Sequence, residues 1–412
     1  MDPNTITYLL IGILSVNFIS SKFLNWLNIR RKENGIPKTM EGYLDTEKLT
    51  KANEYQRVNF NFSLVASFFS FGLTILFLAS GFFGWLDAFL SQFTIHPLWL
   101  PALYFAVLYL GSDLMGIPFD YYHTFVIEQR FGFNNTSMGT FLSDKLKGYL
   151  LSIVIGGSLL LTFLLLVNYM GVDFWWQFWL VTGVFMVLVN GLFSSYILPL
   201  FNKLTPLEEG ELRQAILSYA SKAGFPLENV FVIDGSKRSS KANAFFSGFG
   251  KRKKVVLYDT LIAQHSTDEL VAVLAHEIGH YKKRHIVTNL VLGILQTGLI
   301  LFVLAQLIFS ESLSLALGGS EMAVHLNLVG FTMLFSPLSA LIGVGMNILS
   351  RKHEFEADAF AKSTFDGQPL ATALKKLSVN NLTNLNPHPW YVFMNYSHPP
   401  LLQRLAKLET TG

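Results

Sequence analysis

The stretch VLAHEIGHYKKRHIVTNLVLGIL, residues 273–295, changes character halfway along. Its first half places His276, Glu277 and His280 at helical spacing among apolar residues, and its second half begins a long apolar run at residue 286. An ionisable site therefore lies next to a segment that is long enough to enter a lipid bilayer. This arrangement predicts a membrane protein whose chemistry takes place beside the membrane.

The composition agrees with a membrane protein. Of the 412 residues, 51% are hydrophobic and 14% are charged, whereas soluble domains carry about 25% charged residues. The mean hydropathy is +0.39. The net charge of +3, without a basic run interleaved with aromatic residues, argues against a nucleic-acid partner. Cysteine is absent, which excludes disulfides and thiolate metal ligands.

Seven apolar stretches are long enough to cross a bilayer, for which about 20 residues are needed. The first has no Lys or Arg before it, which favours a retained span over a cleaved signal peptide. The predicted spans are 6–26, 60–83, 97–116, 148–167, 174–201, 286–309 and 324–349.

The charged residues indicate the orientation of these spans. All 31 Lys and Arg residues lie in 22–59, 117–147 or 202–285, or after residue 350. In the other connecting segments all the charged residues are acidic, namely Asp2, Asp87, Asp173, Glu311 and Glu321. Because basic loops stay in the cytoplasm, we expect the N-terminus outside and the C-terminus in the cytoplasm.

The segment 202–285 is amphiphilic and is expected to fold outside the membrane. The sequence of this segment predicts a helix over 207–223 and a strand over 229–234. The runs 242–250 and 254–262 are separated by a basic turn and predict an antiparallel hairpin.

The run His276-Glu277-Ile278-Gly279-His280 matches the H-E-x-x-H pattern of zinc peptidases. Residues four apart share a helix face, so both histidines can bind one Zn²⁺ through ring nitrogens. Glu277 is then placed to deprotonate a zinc-bound water. Ser266 and Glu269 form a possible capping box that would start this helix.

A catalytic zinc usually has a third protein ligand, and the segment SRKHEFEADAFAK at 350–362 offers two glutamates. Glu354 shares a helix face with Asp358, whereas Glu356 points away from that face and is typical of a solvated carboxylate. We favour Glu354 as the ligand and expect Asp358 to orient a histidine ligand from behind.

Several separated motifs resemble the type I CAAX prenyl proteases, a family of integral-membrane zinc endopeptidases. They are HEIGH at 276–280, SRKHEFEADAFAK at 350–362, ANAFF at 242–246, SHPPLLQR at 397–404 and IEQRFGFNNTSMGTFLSD at 127–144. The resemblance implies seven membrane helices that enclose a water-filled chamber, with a cytoplasmic zincin-like α+β domain that carries the HExxH motif.

The resemblance also implies roles for individual residues. It implies one Zn²⁺ per chain, with His276, His280 and Glu354 as its ligands and Glu277 as the catalytic base. His398 would donate a hydrogen bond to the oxyanion as a second catalytic residue, and Arg404 would lie beside the site. Three residues of the edge strand would bind substrate: Asn243, Ala244 and Phe245.

The family acts on proteins that end in Cys-a-a-X and carry an isoprenoid on the cysteine, and it removes the last three residues. We therefore expect a peptide or protein substrate, C-terminally prenylated, and contact with membrane lipid. The compact length and the end KLETTG, without a dilysine signal, favour a bacterial inner-membrane protein over one of the endoplasmic reticulum.

Two other functions stay open on the sequence alone. A quality-control metalloprotease for membrane proteins would use the same site without a lipid requirement. A seven-span receptor or transporter with structural zinc is disfavoured, because closed zinc sites usually use four protein ligands.

The expected organisation has four parts. Residues 1–201 hold spans one to five, and 202–285 form the zinc-protease domain with the HExxH helix. Residues 286–349 hold spans six and seven, and 350–412 complete the protease domain.

Overall fold

The computed structural model describes residues 1–31, 35–225, 227, 229–247 and 254–410. It is mostly helical, with one small sheet. The helices are α1 Pro3–Arg30, α2 Thr46–Ala79, α3 Phe82–Leu90, α4 Trp99–Tyr122, α5 Gln129–Phe131, α6 Met138–Leu151, α7 Ser158–Met170, α8 Phe174–Leu192, α9 Leu198–Phe201, α10 Glu211–Lys222, α11 Asp259–Gln264, α12 Thr267–Lys282, α13 His285–Ala305, α14 Glu311–Ala316, α15 Val324–Thr364, α16 Gly367–Asn380, α17 Pro389–Asn395 and α18 Leu401–Leu408. The strands are β1 Leu204–Pro206, β2 Asn229–Ile233, β3 Ala244–Ser247 and β4 Lys254–Tyr258.

Six helical segments of the described residues are long and apolar enough to cross a membrane. They are Pro3–Arg30, Thr46–Ala79, Trp99–Phe131, Met138–Phe201, His285–Ala305 and Val324–Thr364. At most 22% of the most apolar part of any of these segments is buried within the chain. Helices of soluble proteins bury their apolar face, so this exposure indicates contact with lipid. The prediction of a multi-pass membrane protein is confirmed.

The segment Met138–Phe201 contains both the fourth and the fifth predicted spans within 64 residues. A straight helix of that length would be about 96 Å long, far more than a bilayer needs. The chain turns at Gly171–Asp173, where Gly171 has φ +56°, an angle that glycine adopts readily. Phe163 of α7 packs edge-on against Phe174 of α8 with 5.1 Å between ring centroids. The two helices form a hairpin, and the predicted count of seven spans treats this hairpin as two crossings.

In sequence the four strands lie between α9 and α11, and in the sheet they have the order β1-β2-β4-β3. β1 is antiparallel to β2, and β2 is parallel to β4. β3 and β4 pair antiparallel, with Phe245 opposite Val256, which confirms the predicted hairpin. Its turn, 248–253, lies outside the described residues. The second predicted strand ends at Tyr258, and α11 follows it.

The cap of the motif helix α12 fixes where the helix begins, and its buried face fixes its rotation about its own axis. Ser266 accepts a hydrogen bond from the Glu269 backbone N–H, and the Glu269 carboxylate accepts one from the Ser266 N–H, as the sequence predicts. Such caps contribute about 1 kcal/mol. Leu270, Leu274 and Ile278 are buried in the core formed with the sheet and α16. This packing leaves the metal-motif side chains on another side of the helix.

The long helix α15 connects the membrane to the site. It has 41 residues, about 60 Å in length, so it exceeds the thickness of the hydrocarbon core by several turns. Its C-terminal turns, which carry Glu354 and Asp358, pack along α12. A Cβ added to Gly279 would lie 3.0 Å from Ala357 Cα, so the two helices are in close backbone contact there.

Candidate metal centre

Three side chains from two helices converge on one point. His276 and His280 lie one turn apart on α12, and Glu354 comes from the C-terminal part of α15. The two Nε2 atoms of the histidines are 3.1 Å apart. Glu354 Oε1 lies 3.3 Å from His280 Nε2, and Glu354 Oε2 lies 3.5 Å from His276 Nε2. The structure thus brings together the three side chains that the sequence nominates as ligands.

This spacing fits a metal ion. Ligand atoms at 2.0–2.1 Å from a tetrahedral Zn²⁺ lie about 3.4 Å from each other, and the separations here are 3.1 to 3.5 Å. Glu354 Oε2 is buried, and the polar atoms nearest to it, Arg404 Nη1 at 3.3 Å and His276 Nε2 at 3.5 Å, are at the long end for a hydrogen bond. A cation between the three ligand side chains would bind this oxygen more closely. Two imidazoles and one carboxylate also leave a fourth position open, as in catalytic zinc sites.

Asp358 and Arg404 hold His276 from the side opposite the ligand group. Asp358 Oδ1 lies 2.9 Å from His276 Nδ1, and Arg404 donates two hydrogen bonds to the Asp358 carboxylate, at 2.7 and 2.9 Å. All three side chains are buried. Burial lowers the pKa of His276, but its hydrogen bonds to Asp358 and Glu354 outweigh that effect and raise the pKa to about 9. A ligating histidine must be neutral, so metal binding has to displace a proton here.

Glu277 lies next to the ligands without joining them. It is partly buried and lines the same cavity as the ligand group. Burial raises the pKa of Glu277, while the neighbouring His276 and His280 oppose the shift. A carboxylate whose pKa is shifted toward neutral is suited to take up and return a proton.

His398 is placed at the open side of the group. Its Nε2 lies 3.4 Å from Glu354 Oε1, and its side chain is 65% exposed. Ser397 Oγ lies 3.0 Å from His398 Nδ1. An exposed imidazole at the mouth of the cavity is free to contact a bound substrate.

The cavity has a volume of about 410 Å³ and joins the ligand group to the edge strand. Asn243, Ala244 and Phe245 form one wall, and β3 is one of the two edge strands among the described strands of the sheet. Leu370, Leu374 and Leu377 of α16 form an apolar wall. All the residues that the sequence nominates therefore lie in or directly behind one cavity.

Sequence reasoning missed a further pair behind His280. His285 Nδ1 lies 3.1 Å from His280 Nδ1, and His285 Nε2 lies 2.9 Å from Glu356 Oε2. Glu356 does point away from the ligand face, but it is bound to His285 instead of only to solvent. A histidine five residues after a ligand gives no periodic signal, because a continuous helix would place it about 140° away.

A helical membrane chain with two histidines and a glutamate around a metal position, beside an edge strand, has the features of a zincin-like membrane metallopeptidase. Comparison with known families agrees. Residues 25–203 match the N-terminal part of CAAX prenyl proteases, described as five membrane helices. Residues 206–412 match peptidase family M48. The chain belongs to peptidase family M48 and is a multi-pass membrane metalloendopeptidase.

Relatives that match over most of their length support this family assignment. CAAX prenyl protease 1 of Saccharomyces cerevisiae is 34% identical, over 99% of this chain and 96% of the relative. The CAAX prenyl protease 1 homolog of Homo sapiens is 33% identical, over 91% of this chain and 89% of the relative. The crystal structure of S. mikatae Ste24p superposes with a TM-score of 0.92 at 32% identity, over 98% of this chain and 99% of that one.

Proposed function

We propose that this chain is a zinc endopeptidase that cuts near the C-terminus of prenylated CAAX-type proteins. The observation that carries the proposal is that the ligand group, Glu277 and the edge strand β3 line one cavity. The names of its full-length relatives in yeast and human support the substrate class. A metalloendopeptidase acts on a peptide bond, so a cavity beside an edge strand is where such a substrate would lie.

The substrate backbone would add a strand at the outer edge of β3. Extended peptides bind exposed sheet edges through main-chain hydrogen bonds. Asn243 precedes β3 and is exposed, with its side-chain oxygen accepting a hydrogen bond from the Ala244 N–H at 2.9 Å. We assign Asn243, Ala244 and Phe245 to substrate binding because they line the same cavity as the ligand group.

His276, His280 and Glu354 would hold the zinc ion, which when bound lowers the pKa of water and polarises a carbonyl. Glu277 takes the proton of the attacking water on its carboxylate and returns it to the leaving amine. The His398 Nε2–H donates a hydrogen bond to the oxygen that gains negative charge during attack. Asp358 and Arg404 keep His276 oriented.

The cavity also borders the membrane part of the chain. Its lining includes His285, Ile286 and Asn289, in the first turns of the membrane helix α13. An isoprenoid could therefore rest on apolar helix surface while the attached peptide reaches the zinc ligands. Water would reach the same cavity from a chamber between the helices.

We further propose that the N-terminus lies outside and the C-terminus in the cytoplasm, as the distribution of basic residues requires. The family match over 25–203, described as five membrane helices, supports the division of the chain near residue 201.

The function is tested with one farnesylated Cys-a-a-X peptide and its unprenylated twin, incubated with the purified protein with and without a zinc chelator. We expect loss of three residues from the farnesylated peptide alone, abolished by the chelator and located by mass spectrometry. Equal cleavage of both peptides would contradict the prenyl specificity and favour a quality-control protease. Cleavage that resists the chelator would contradict the metal mechanism.

A further inference from the structure

The helix break after the metal motif has a specific geometric effect. α12 ends at Lys282 and α13 begins at His285, and Arg284 between them has φ +59°. Residues other than glycine seldom adopt this left-handed backbone conformation. The break turns His285 back onto His280, whereas an unbroken helix would separate the two side chains by about 140°.

His285 is then held from three directions. It is 3% exposed, its ring stacks on His353 at 3.9 Å between centroids, and its two nitrogens face His280 Nδ1 and Glu356 Oε2 at 3.1 and 2.9 Å. A ring fixed in this way can impose an orientation on the neighbour that it contacts.

The chemistry of the three groups determines where the protons lie. An ionised carboxylate only accepts hydrogen bonds, so His285 donates through Nε2 to Glu356. A neutral His285 then has a lone pair on Nδ1, which can accept only if His280 carries its proton on Nδ1. This leaves His280 Nε2 without a proton, and Nε2 is the atom that faces His276 and Glu354.

We propose that His285 and Glu356 are positioning residues that fix the ring and the tautomer of His280 for metal binding. Outer partners of this kind typically change metal affinity by about 10–100-fold. Asp358 does the same for His276, so each histidine has its own carboxylate, one direct and one through His285. The inference rests on the proposed metal site.

The test measures the zinc dissociation constant of the purified full-length protein in detergent, by competition with a chromophoric chelator. Glu356→Ala and His285→Ala should each weaken zinc binding by about tenfold or more. Glu356→Gln keeps an oxygen that accepts from His285 Nε2–H and should bind zinc nearly as well as the wild type. The double alanine variant should be no worse than either single variant, since both changes break one chain of contacts.

A matched control is Lys352→Ala. Lys352 is exposed and forms the other ion pair of Glu356, at 3.8 Å, so this change alters the charge around Glu356 without touching His285. It should leave zinc affinity unchanged. If Glu356→Ala behaves like this control, the proposal is overturned.

A purely structural role predicts a different pattern. It would lower the melting temperature of the metal-free protein and leave the zinc dissociation constant of the folded variants unchanged, which would also overturn the proposal. Should His285→Ala fail to fold, the Glu356 variants still decide, because Glu356 is 37% exposed. Zinc binding is measured without substrate, so a failure of CAAX cleavage leaves this result intact, whereas a wild type that binds no zinc would overturn both.

Discussion

Gly279 on α12 is in backbone contact with Ala357 on α15. A Cβ atom on Gly279 would lie 3.0 Å from Ala357 Cα and 3.1 Å from its carbonyl oxygen. These are main-chain atoms, so they cannot move aside as a flexible side chain would. Each of the two residues directly precedes a functional residue, His280 or Asp358. The glycine therefore sets the distance between the two helices that carry the metal ligands.

Gly279→Ala should accordingly destabilise the protein by about 1–3 kcal/mol, as overpacking does, and should weaken zinc binding. Alanine is the better helix former by about 1 kcal/mol, so a loss of stability would isolate the packing effect. Thermal unfolding and zinc titration measure the two results. Gly343→Ala on α15 is the control, because a Cβ there would meet nothing within 4 Å. Equal behaviour of the two variants would contradict this account.

Asp358→Asn should reduce zinc affinity by about 10–100-fold. The amide keeps the shape of the side chain, but it loses the charge that pairs with Arg404 and His276. Zinc titration at fixed pH measures the effect. Unchanged affinity would show that Asp358 does not orient His276.

The raised pKa of His276 also predicts how zinc binding depends on pH. In the metal-free site His276 is protonated below a pKa of about 9, and zinc must displace that proton. The apparent dissociation constant should therefore fall as the pH rises, by up to about tenfold per pH unit, until it levels off near that pKa. Titrations across a pH series measure this slope. A dissociation constant that rises with pH in that range would contradict the assignment.

Much of the centre could be predicted because its geometry is local. His276 and His280, and likewise Glu354 and Asp358, are four residues apart, and helix periodicity alone puts each pair on one face. Apolar runs are equally local and predict the membrane helices, and basic loops predict the orientation of those helices. The role of His285 could not be predicted, since it depends on the left-handed conformation of Arg284, which no pattern in the sequence indicates.

Contacts between distant segments were also beyond prediction. Lys241 Nζ donates to Glu128 Oε2 at 2.7 Å and to Tyr55 Oη at 2.9 Å, and these residues are 113 and 186 positions apart from Lys241. The contacts join α2 and the helical turn between α4 and α5 to the segment just before Asn243. Hydropathy and periodicity describe one segment at a time and carry no signal for such a pairing.

Lys241→Ala should raise KM for a peptide substrate with little change in kcat. Lys241 lies two residues before Asn243, and without it the largely buried Glu128 loses its charged partner, which costs about 1–3 kcal/mol. The edge strand would then be held less firmly in the position that receives substrate. Steady-state kinetics with one peptide series separate KM from kcat.

Arg130→Ala is the matched control for Lys241. Arg130 lies in α5, two residues after Glu128, and pairs with Glu54 at the surface, where ion pairs contribute about 0–1 kcal/mol. Its KM should stay at the wild-type value. A drop in kcat with KM unchanged in Lys241→Ala would argue against a role in strand position.

His398→Ala should lower kcat by about 10²–10³-fold, the usual effect of losing one donor to an oxyanion. KM and zinc content should change little, because the His398 side chain is 65% exposed and is not one of the three ligands. Kinetics and metal analysis on the same preparation measure this. A rise in KM alone would assign His398 to substrate binding instead.

The most direct test of the central claim compares the wild type with Glu277→Gln on one farnesylated peptide, with zinc content measured in both. Gln keeps the size of the side chain but cannot take up the proton of the attacking water. The account predicts one zinc per chain in both proteins and loss of cleavage in the variant alone. Full cleavage by the zinc-loaded variant would contradict the assigned mechanism.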